Sequence, residues 1–199
     1  MAFAACLAAA PAPAGAQALA LAVTAAGDSV RADVVFSDVA ADDPAATLRD
    51  GLESRITFTL RCYEHRPGIA GLLGDALLAQ RTVVRAAFYD FFDRRFVVEQ
   101  DGRRASYADE AGFLAAFFTL RDVELLPAAE TPRSVGPRSG DRTDQGAIRR
   151  RYIAARAQYD PVRLSPPLTI LTLFGVAARH TTPWERRDVP RDPLAEVRP

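Results

Sequence analysis

Residues 54–65 constrain the fold of this chain more than any other stretch. Ile56, Phe58, Leu60 and Cys62 alternate with Arg55, Thr57, Thr59, Arg61 and Tyr63. Successive side chains of a strand point to opposite faces, so this pattern makes one apolar face and one polar face. A helix would scatter the same apolar residues around its circumference. Strands that are dry on one side belong to antiparallel sheets, and the dry side needs a second layer to cover it.

The same period recurs along the chain. Leu19, Leu21 and Val23 alternate with alanines, and Val30, Ala32, Val34 and Phe36 alternate with Arg31, Asp33, Val35 and Ser37. Gly27-Asp28-Ser29 lies between them, so residues 18–37 are expected to form a hairpin. Thr82, Val84, Ala86 and Phe88 alternate with Arg81, Val83, Arg85 and Ala87, with Ala86 counted among the small inward residues together with Ala32, Ala155 and Ala157. Arg95 to Gln100 reads as a strand ended by the turn pair Asp101-Gly102. A short strand is expected over Val123 to Leu126. Ile148 to Tyr159 is extended, with Ile153, Ala155, Ala157 and Tyr159 on one face, and Leu168 to Phe174 reads as a last strand behind Pro166-Pro167.

Two segments change period. Asp43 suits an N-cap and Pro44 the first helical position, where a missing N–H costs nothing; Leu48 and Leu52 share a face and Gly51 stops the helix. Ser106-Tyr107-Ala108-Asp109 resembles a capping box, and Tyr107, Ala111, Leu114 and Phe118, widened by Phe113 and Phe117, predict a helix over 107–119. Residues 127–147 carry Pro127, Pro132, Gly136, Pro137, Gly140 and Gly146 and read as a long mobile loop. Residues 181–199, with Pro183, Pro190, Pro193 and Pro199, read as an extended C-terminal arm. The expected fold is mainly β (α+β), a two-layer antiparallel β-sandwich of about seven or eight strands with two short helices, occupying 17–180 as a single domain.

Composition narrows the setting. Acidic and basic residues balance at 25 each, so no overall field steers the chain to nucleic acid, and no nucleic-acid partner is expected. Every basic residue is arginine, the mark of an Ala- and Arg-rich, high-GC coding bias rather than of phosphate binding. The start, Ala4-Ala5-Cys6-Leu7-Ala8-Ala9-Ala10 followed by Pro11-Ala12-Pro13 and Ala14-Gly15-Ala16, reads as the back half of a signal peptide cut after Ala16, with a truncated charged region. That predicts a periplasmic or secreted protein. The alternative is a lipid anchor through Cys6. Cys62 then stands alone, and no intrachain disulfide is available. The most apolar later segment, Leu168 to Ala178, is about half the ~20 residues that a transmembrane span needs.

The order of motifs resembles a known family. Leu52-Glu53-Ser54-Arg55-Ile56-Thr57-Phe58 leads a long strand; Arg81-Thr82-Val83-Val84-Arg85 runs into Tyr89-Asp90, then Phe96-Val97-Val98. The Ser106–Phe118 block precedes Leu120-Arg121-Asp122-Val123. Tyr152 to Tyr159 ends in Asp160-Pro161, and Leu164-Ser165-Pro166-Pro167-Leu168 precedes Trp184. In this it resembles a family of exported bacterial proteins catalogued as a domain of unknown function, whose genes often lie beside a nitrogen-regulation-type membrane sensor kinase. The resemblance implies a β-rich envelope protein and carries no catalytic residues with it.

The residues themselves offer few reaction centres. Cys62 and His65 have ligand-like spacing, but residues three apart on a strand face opposite ways, so Cys62 is expected in the core and His65 at an exposed strand end. A Ser-His-Asp hydrolase would have to use His65 or His180 with Asp90, Asp93 or Asp160, and no nucleophile-elbow pattern surrounds any serine. Asp38, Asp42, Asp43, Asp90, Asp93 and Asp101 lie near strand ends and could gather as a calcium site; each also has a local role available as cap, turn or partner of Arg94 and Arg95. Arg149, Arg150, Arg151 and Arg156 form the one basic run, read as a charged edge strand with Arg149 and Arg151 on one face. Arg149, Arg151 and Trp184 are the candidate interaction surface, and Phe91, Phe92 and Trp184 the candidate exposed aromatics. Neither a phosphate loop nor a dinucleotide fingerprint is present, and no cofactor or metal is expected. The functional expectation is a non-enzymatic binding or accessory module with an unknown envelope partner. A carrier of an apolar ligand between the layers is the alternative, and a hydrolase the second. Intact mass of protein recovered from the periplasm of an expressing bacterium should give a chain beginning at Gln17; a retained 1–16 segment would rule out cleavage.

Overall fold

The computed structural model describes residues 18–26, 29–37, 43–66, 74–126, 150–163 and 179–190. In chain order these form β1 (Ala18–Ala26), β2 (Ser29–Ser37), α1 (Pro44–Arg49), β3 (Glu53–Glu64), β4 (Ala76–Asp90), β5 (Arg95–Gln100), β6 (Arg103–Tyr107), α2 (Glu110–Phe118), β7 (Thr119–Leu126), β8 (Arg151–Arg163), β9 (His180–Thr181) and β10 (Glu185–Asp188). Two antiparallel sheets pack face to face, as the alternation predicts. The smaller is ordered β1-β2-β7; the larger is seven-stranded, β10-β8-β3-β4-β5-β6, with β9 pairing β8. Loop 127–147 and the strand expected over Leu168 to Phe174 lie outside the described residues, as does Arg149.

β3 is the axis of the larger sheet. It pairs along nearly its whole length with β4 on one side and β8 on the other. Ile56, Phe58, Leu60 and Cys62 are wholly buried, and across the ladder so are Ile153, Ala157 and Tyr159. From the smaller sheet Val30, Ala32, Val34 and Phe36 face them, while Arg31, Asp33, Val35 and Ser37 face solvent. Burying each large apolar side chain contributes about 1.5–3 kcal/mol, so this double row dominates stability. A chain of rings crosses the layers: Phe96 stacks on Phe113, Phe113 on Phe117, and Phe117 and Phe118 meet the edge of Tyr159, which reaches Phe36.

Both helices lie on the inner face. Asp43 caps α1, its Oδ1 accepting from the Ala46 N–H at 2.9 Å, with Pro44 in the first turn, and Gly51 follows at φ 83°, a conformation that glycine adopts without cost. α2 departs from its expected start. Its cap is Asp109, whose Oδ1 accepts from the Gly112 N–H at 2.7 Å, and not Ser106. The reason is competition for backbone: Ser106 and Tyr107 already pair with Val97 and Phe96 in β6, a strand that the periodicity did not announce. α2 then runs directly into β7, which begins at Thr119 rather than Val123.

The described residues hold ten strands, close to the expected seven or eight, the additions being β6 and the short β9 and β10. Three further expectations are corrected. Residues 180–190 are not a free arm: Gln158 and Tyr159 pair with β9, and Tyr152 to Ala155 pair with β10. β8 is therefore an interior strand, not a charged edge. Finally, Ala86 faces outward. The register sets Val83 opposite Phe58 and Ala87 opposite Ser54, and directly opposed residues share a face, so Val83 and Ala87 are the buried pair while Thr82 and Val84 are exposed. The same parity puts Arg81 and Arg85 on the inner face.

Replacing Phe58 by alanine should cost about 3–5 kcal/mol, against about 1 kcal/mol for Asp43→Ala, which loses only a cap. Urea unfolding of the two variants checks the ranking.

Candidate functional site

The polar face of the larger sheet carries an arginine–aromatic array. Thr182 anchors it. Its N–H donates to the Ala157 carbonyl at 2.9 Å, and its hydroxyl accepts from the Ala157 N–H at 3.0 Å. Thr182 is buried, and this reciprocal pair fixes the chain between β9 and β10. Trp184 follows and lies over the outer face. The Arg61 guanidinium sits 4.8 Å from its ring centroid and that of Arg156 sits 5.5 Å away. Arg61 and Arg156 come from adjacent strands on the face opposite Leu60, Ala155 and Ala157, so strand pleating alone aims both at the indole. Each such contact contributes about 0.5–1 kcal/mol at an exposed site. Trp184 keeps 41% of its surface exposed, so it is held in place and still presented.

A second rung lies beside the first. Arg186 stands 3.5 Å over the ring of Tyr152, which stacks on Tyr63 at 5.1 Å. The Tyr152 hydroxyl donates to Asp75 Oδ2 at 2.9 Å, and His65 Nδ1 lies 2.9 Å from Asp75 Oδ1. The Tyr152 bond is the main cause holding the Asp75 carboxyl below its ordinary range, with the Arg66 N–H and His65 adding to it against partial burial. Burial, then the hydrogen bond to Asp75, pushes the Tyr152 phenol up.

The residues singled out in the sequence separate in space. Trp184 is part of the array. Arg151 is not: its side chain is largely covered and its Nε lies 3.7 Å from Glu64 Oε2. A strand hemmed between β10 and β3 draws its first residue into an ion pair instead of presenting it. Sequence reading missed Arg61, Arg156 and Arg186 as partners of aromatic rings. The available signal was their parity with Tyr63 and Tyr152, once the register is known.

The histidines do not share a site. His65 is an exposed strand-end residue, as expected; the group that shares Asp75 with it is a phenol donating to the carboxylate, not a nucleophile. His180 stacks on Tyr159 with centroids 6.1 Å apart. Among the described residues no group of three or more His, Cys, Asp or Glu side chains could hold a metal. Asp38 and Asp42 lie outside those residues. Among the described residues Asp90 forms no ion pair with arginine; its Oδ1 accepts from the N–H groups of Phe92 and Asp93 and shapes the β4–β5 turn. Asp101 and Gly102 take φ of 51° and 75° in the β5–β6 turn. At the β4–β5 tip Phe91 packs edge-on to Tyr89, whereas Phe92 is 99% exposed. Cys62 is a free core thiol, and burial pushes its pKa up to about 11. Among the described residues no helix is long and apolar enough to cross a membrane. Comparison of the chain with protein-family models finds no match, and comparisons with curated proteins and with solved structures find none either.

Two titrations follow. Asp75 has a depressed folded-state pKa, so its contribution is present above the ordinary carboxylate range and is lost as pH falls through the folded value. Asp75→Asn should therefore unfold more easily than the parent at pH 7, and thermal melts should show the gap closing below about pH 4. Cys62 has a raised pKa, so the folded state loses stability as pH climbs from the ordinary thiol value toward about 11. At pH 8 a thiol reagent should label it only on unfolding.

Proposed function

We propose that this chain is a non-enzymatic binding module of the bacterial cell envelope, engaging an envelope protein through the outer face of its larger sheet. The observation that carries this reading is Trp184, half-exposed and held against the guanidinium groups of Arg61 and Arg156. Tryptophan and arginine dominate the energetic centres of protein interfaces, because both offer large area and little entropy to lose when already held. Here the array is ordered before any partner arrives. The signal-like start and the resemblance of motif order to exported proteins, some encoded beside a membrane sensor kinase, support the envelope setting and a link to such a sensor.

Two observations favour this reading over the alternatives. The space between the sheets, where an apolar ligand would sit, is occupied by Phe36, Phe58, Phe113, Phe117, Phe118 and Tyr159. A hydrolase using His65 would have to operate from a strand end where the described residues leave the imidazole exposed and supply no wall to exclude water.

The test places a photo-crosslinking residue at Arg156 and, separately, at the solvent-facing Arg31 of the smaller sheet, in the exporting bacterium. A discrete adduct from position 156 that Trp184→Ala abolishes, with none from position 31, is the expected result. Adducts from both positions alike, or from neither, would overturn the proposal. Trp184 is the sole tryptophan of the chain, so its emission should shift to the blue when the purified partner covers it.

A further inference from the structure

The inner face of the larger sheet changes character toward β5 and β6. Opposite the wholly buried Leu60 and Ile56, where a sandwich would place apolar residues, β4 carries Arg81 and Arg85. Arg85 lies across from Gln100 of β5, and Gln100 lies across from Arg103 of β6. Directly opposed residues share a face, so Arg85, Gln100 and Arg103 form one row running across three strands, with Arg81 farther along β4. Strands stand about 4.8 Å apart and residues rise about 3.3 Å, so side chains as long as arginine converge from these positions. Between this row and α2 lies a cleft of about 600 Å³, lined also by Asp101 and Tyr107. That volume suits a small molecule.

Arg85 forms the floor. Its Nε donates to Gln100 Oε1 at 2.7 Å, and its Nη1 donates to the carbonyls of Ala116 and Thr119, each at 2.6 Å. These carbonyls close the C-terminal end of α2, where a cation is favoured. Arg85 thus has a structural task, and its Nη2 makes no hydrogen bond within the described residues. Arg81 reaches the Glu124 carbonyl at 3.4 Å, and Arg103 stands exposed at the rim. Among the described residues none of the three forms an ion pair, whereas Arg31, Arg49, Arg104, Arg151, Arg179 and Arg187 each meet a carboxylate. Asp101 is the single carboxylate of the lining.

We propose that this cleft binds a small molecule bearing an oxyanion, carboxylate or phosphate, with Arg81 and Arg103 as its direct ligands and Arg85 as the fixed charge beneath. Guanidinium forks match both kinds of oxyanion. The site lies on the opposite face of the sheet from the Trp184 array and stands independently of the proposed protein partner.

Calorimetric titration of the full chain at low salt, with sodium phosphate and with citrate separately, tests it. At least one probe should saturate; phosphate over citrate assigns phosphorylated ligands, and the reverse assigns carboxylates. The Arg81→Ala, Arg103→Ala double variant should weaken binding by about tenfold per arginine, while Arg95→Ala, which removes the same charge from the exposed far end of β5, should leave it unchanged. If the double variant does not fold, Arg103→Lys takes its place. It keeps the charge but loses the fork, and should bind several-fold more weakly. Failure of both probes to saturate by about 10 mM, or equal losses in the cleft variants and Arg95→Ala, would overturn the proposal.

Discussion

Among the described residues a layer of three strands faces a layer of seven and cannot cover it. The inner face of the larger sheet runs continuously from β10 across β8, β3, β4 and β5 to β6, while the described smaller sheet offers only β1, β2 and β7. An apolar face left wet would cost about 25 cal/mol for each Å², so the uncovered width must be dealt with in some other way. Over β8 and β3 the two sheets meet directly. Over β4 and β5 the helices take up the gap, α1 with Ala45 and Leu48 and α2 with Phe113 and Phe117. Beyond α2 the described residues supply no further cover, and there the inner-facing positions become Arg85, Gln100 and Arg103. Helices, aromatic chain and arginine cleft are three responses to one mismatch in width.

The opposite margin is managed differently. β8 would be an exposed edge, open to pairing with another chain, were it not for β9 and β10. Pro183 lies between these two short strands, so the cover is made in pieces. The interruption has a consequence: Thr182 bonds reciprocally with Ala157, and Trp184 is carried onto the polar face over Arg61 and Arg156. The candidate interface is a by-product of closing an edge. Trp184 itself sits in the short connection between β9 and β10, but its partners Arg61 and Arg156 stand on β3 and β8 and hold it in place, which is what gives pre-organised contacts their advantage in binding.

Ion pairs hold the periphery and contribute modestly. Arg31 donates to both carboxylate oxygens of Asp122 at the bulged register of β2 and β7, while the Asp122 N–H donates to Asp33 at 2.6 Å. Asp122 adopts φ 52°, so the bulge is stapled from both neighbours. Exposed pairs of this kind contribute about 0–1 kcal/mol each; their role is to fix register more than to add stability.

The period-two alternation of 54–65 and of 30–36 determined by itself that this chain would build antiparallel sheets with one dry face, and which residues would line it, because side-chain direction on a strand depends only on parity. Asp43-Pro44 determined the start of α1, because capping is a local hydrogen bond. Parity alone does not say which of two mixed faces is buried when both carry apolar residues, so only the register with Arg55 and Ser54 decides between Ala86 and Ala87. Nor does it show β6, whose exposed residues have no dry face, or the pairing of 180–190, where prolines and charges imitate a free arm. The two candidate sites belong to that second group. Arg61, Trp184 and Arg156, like Arg81, Arg85 and Arg103, are distant in sequence and ordinary one by one. Only strand pairing, which joins residues across scores of positions, sets their charges and rings side by side.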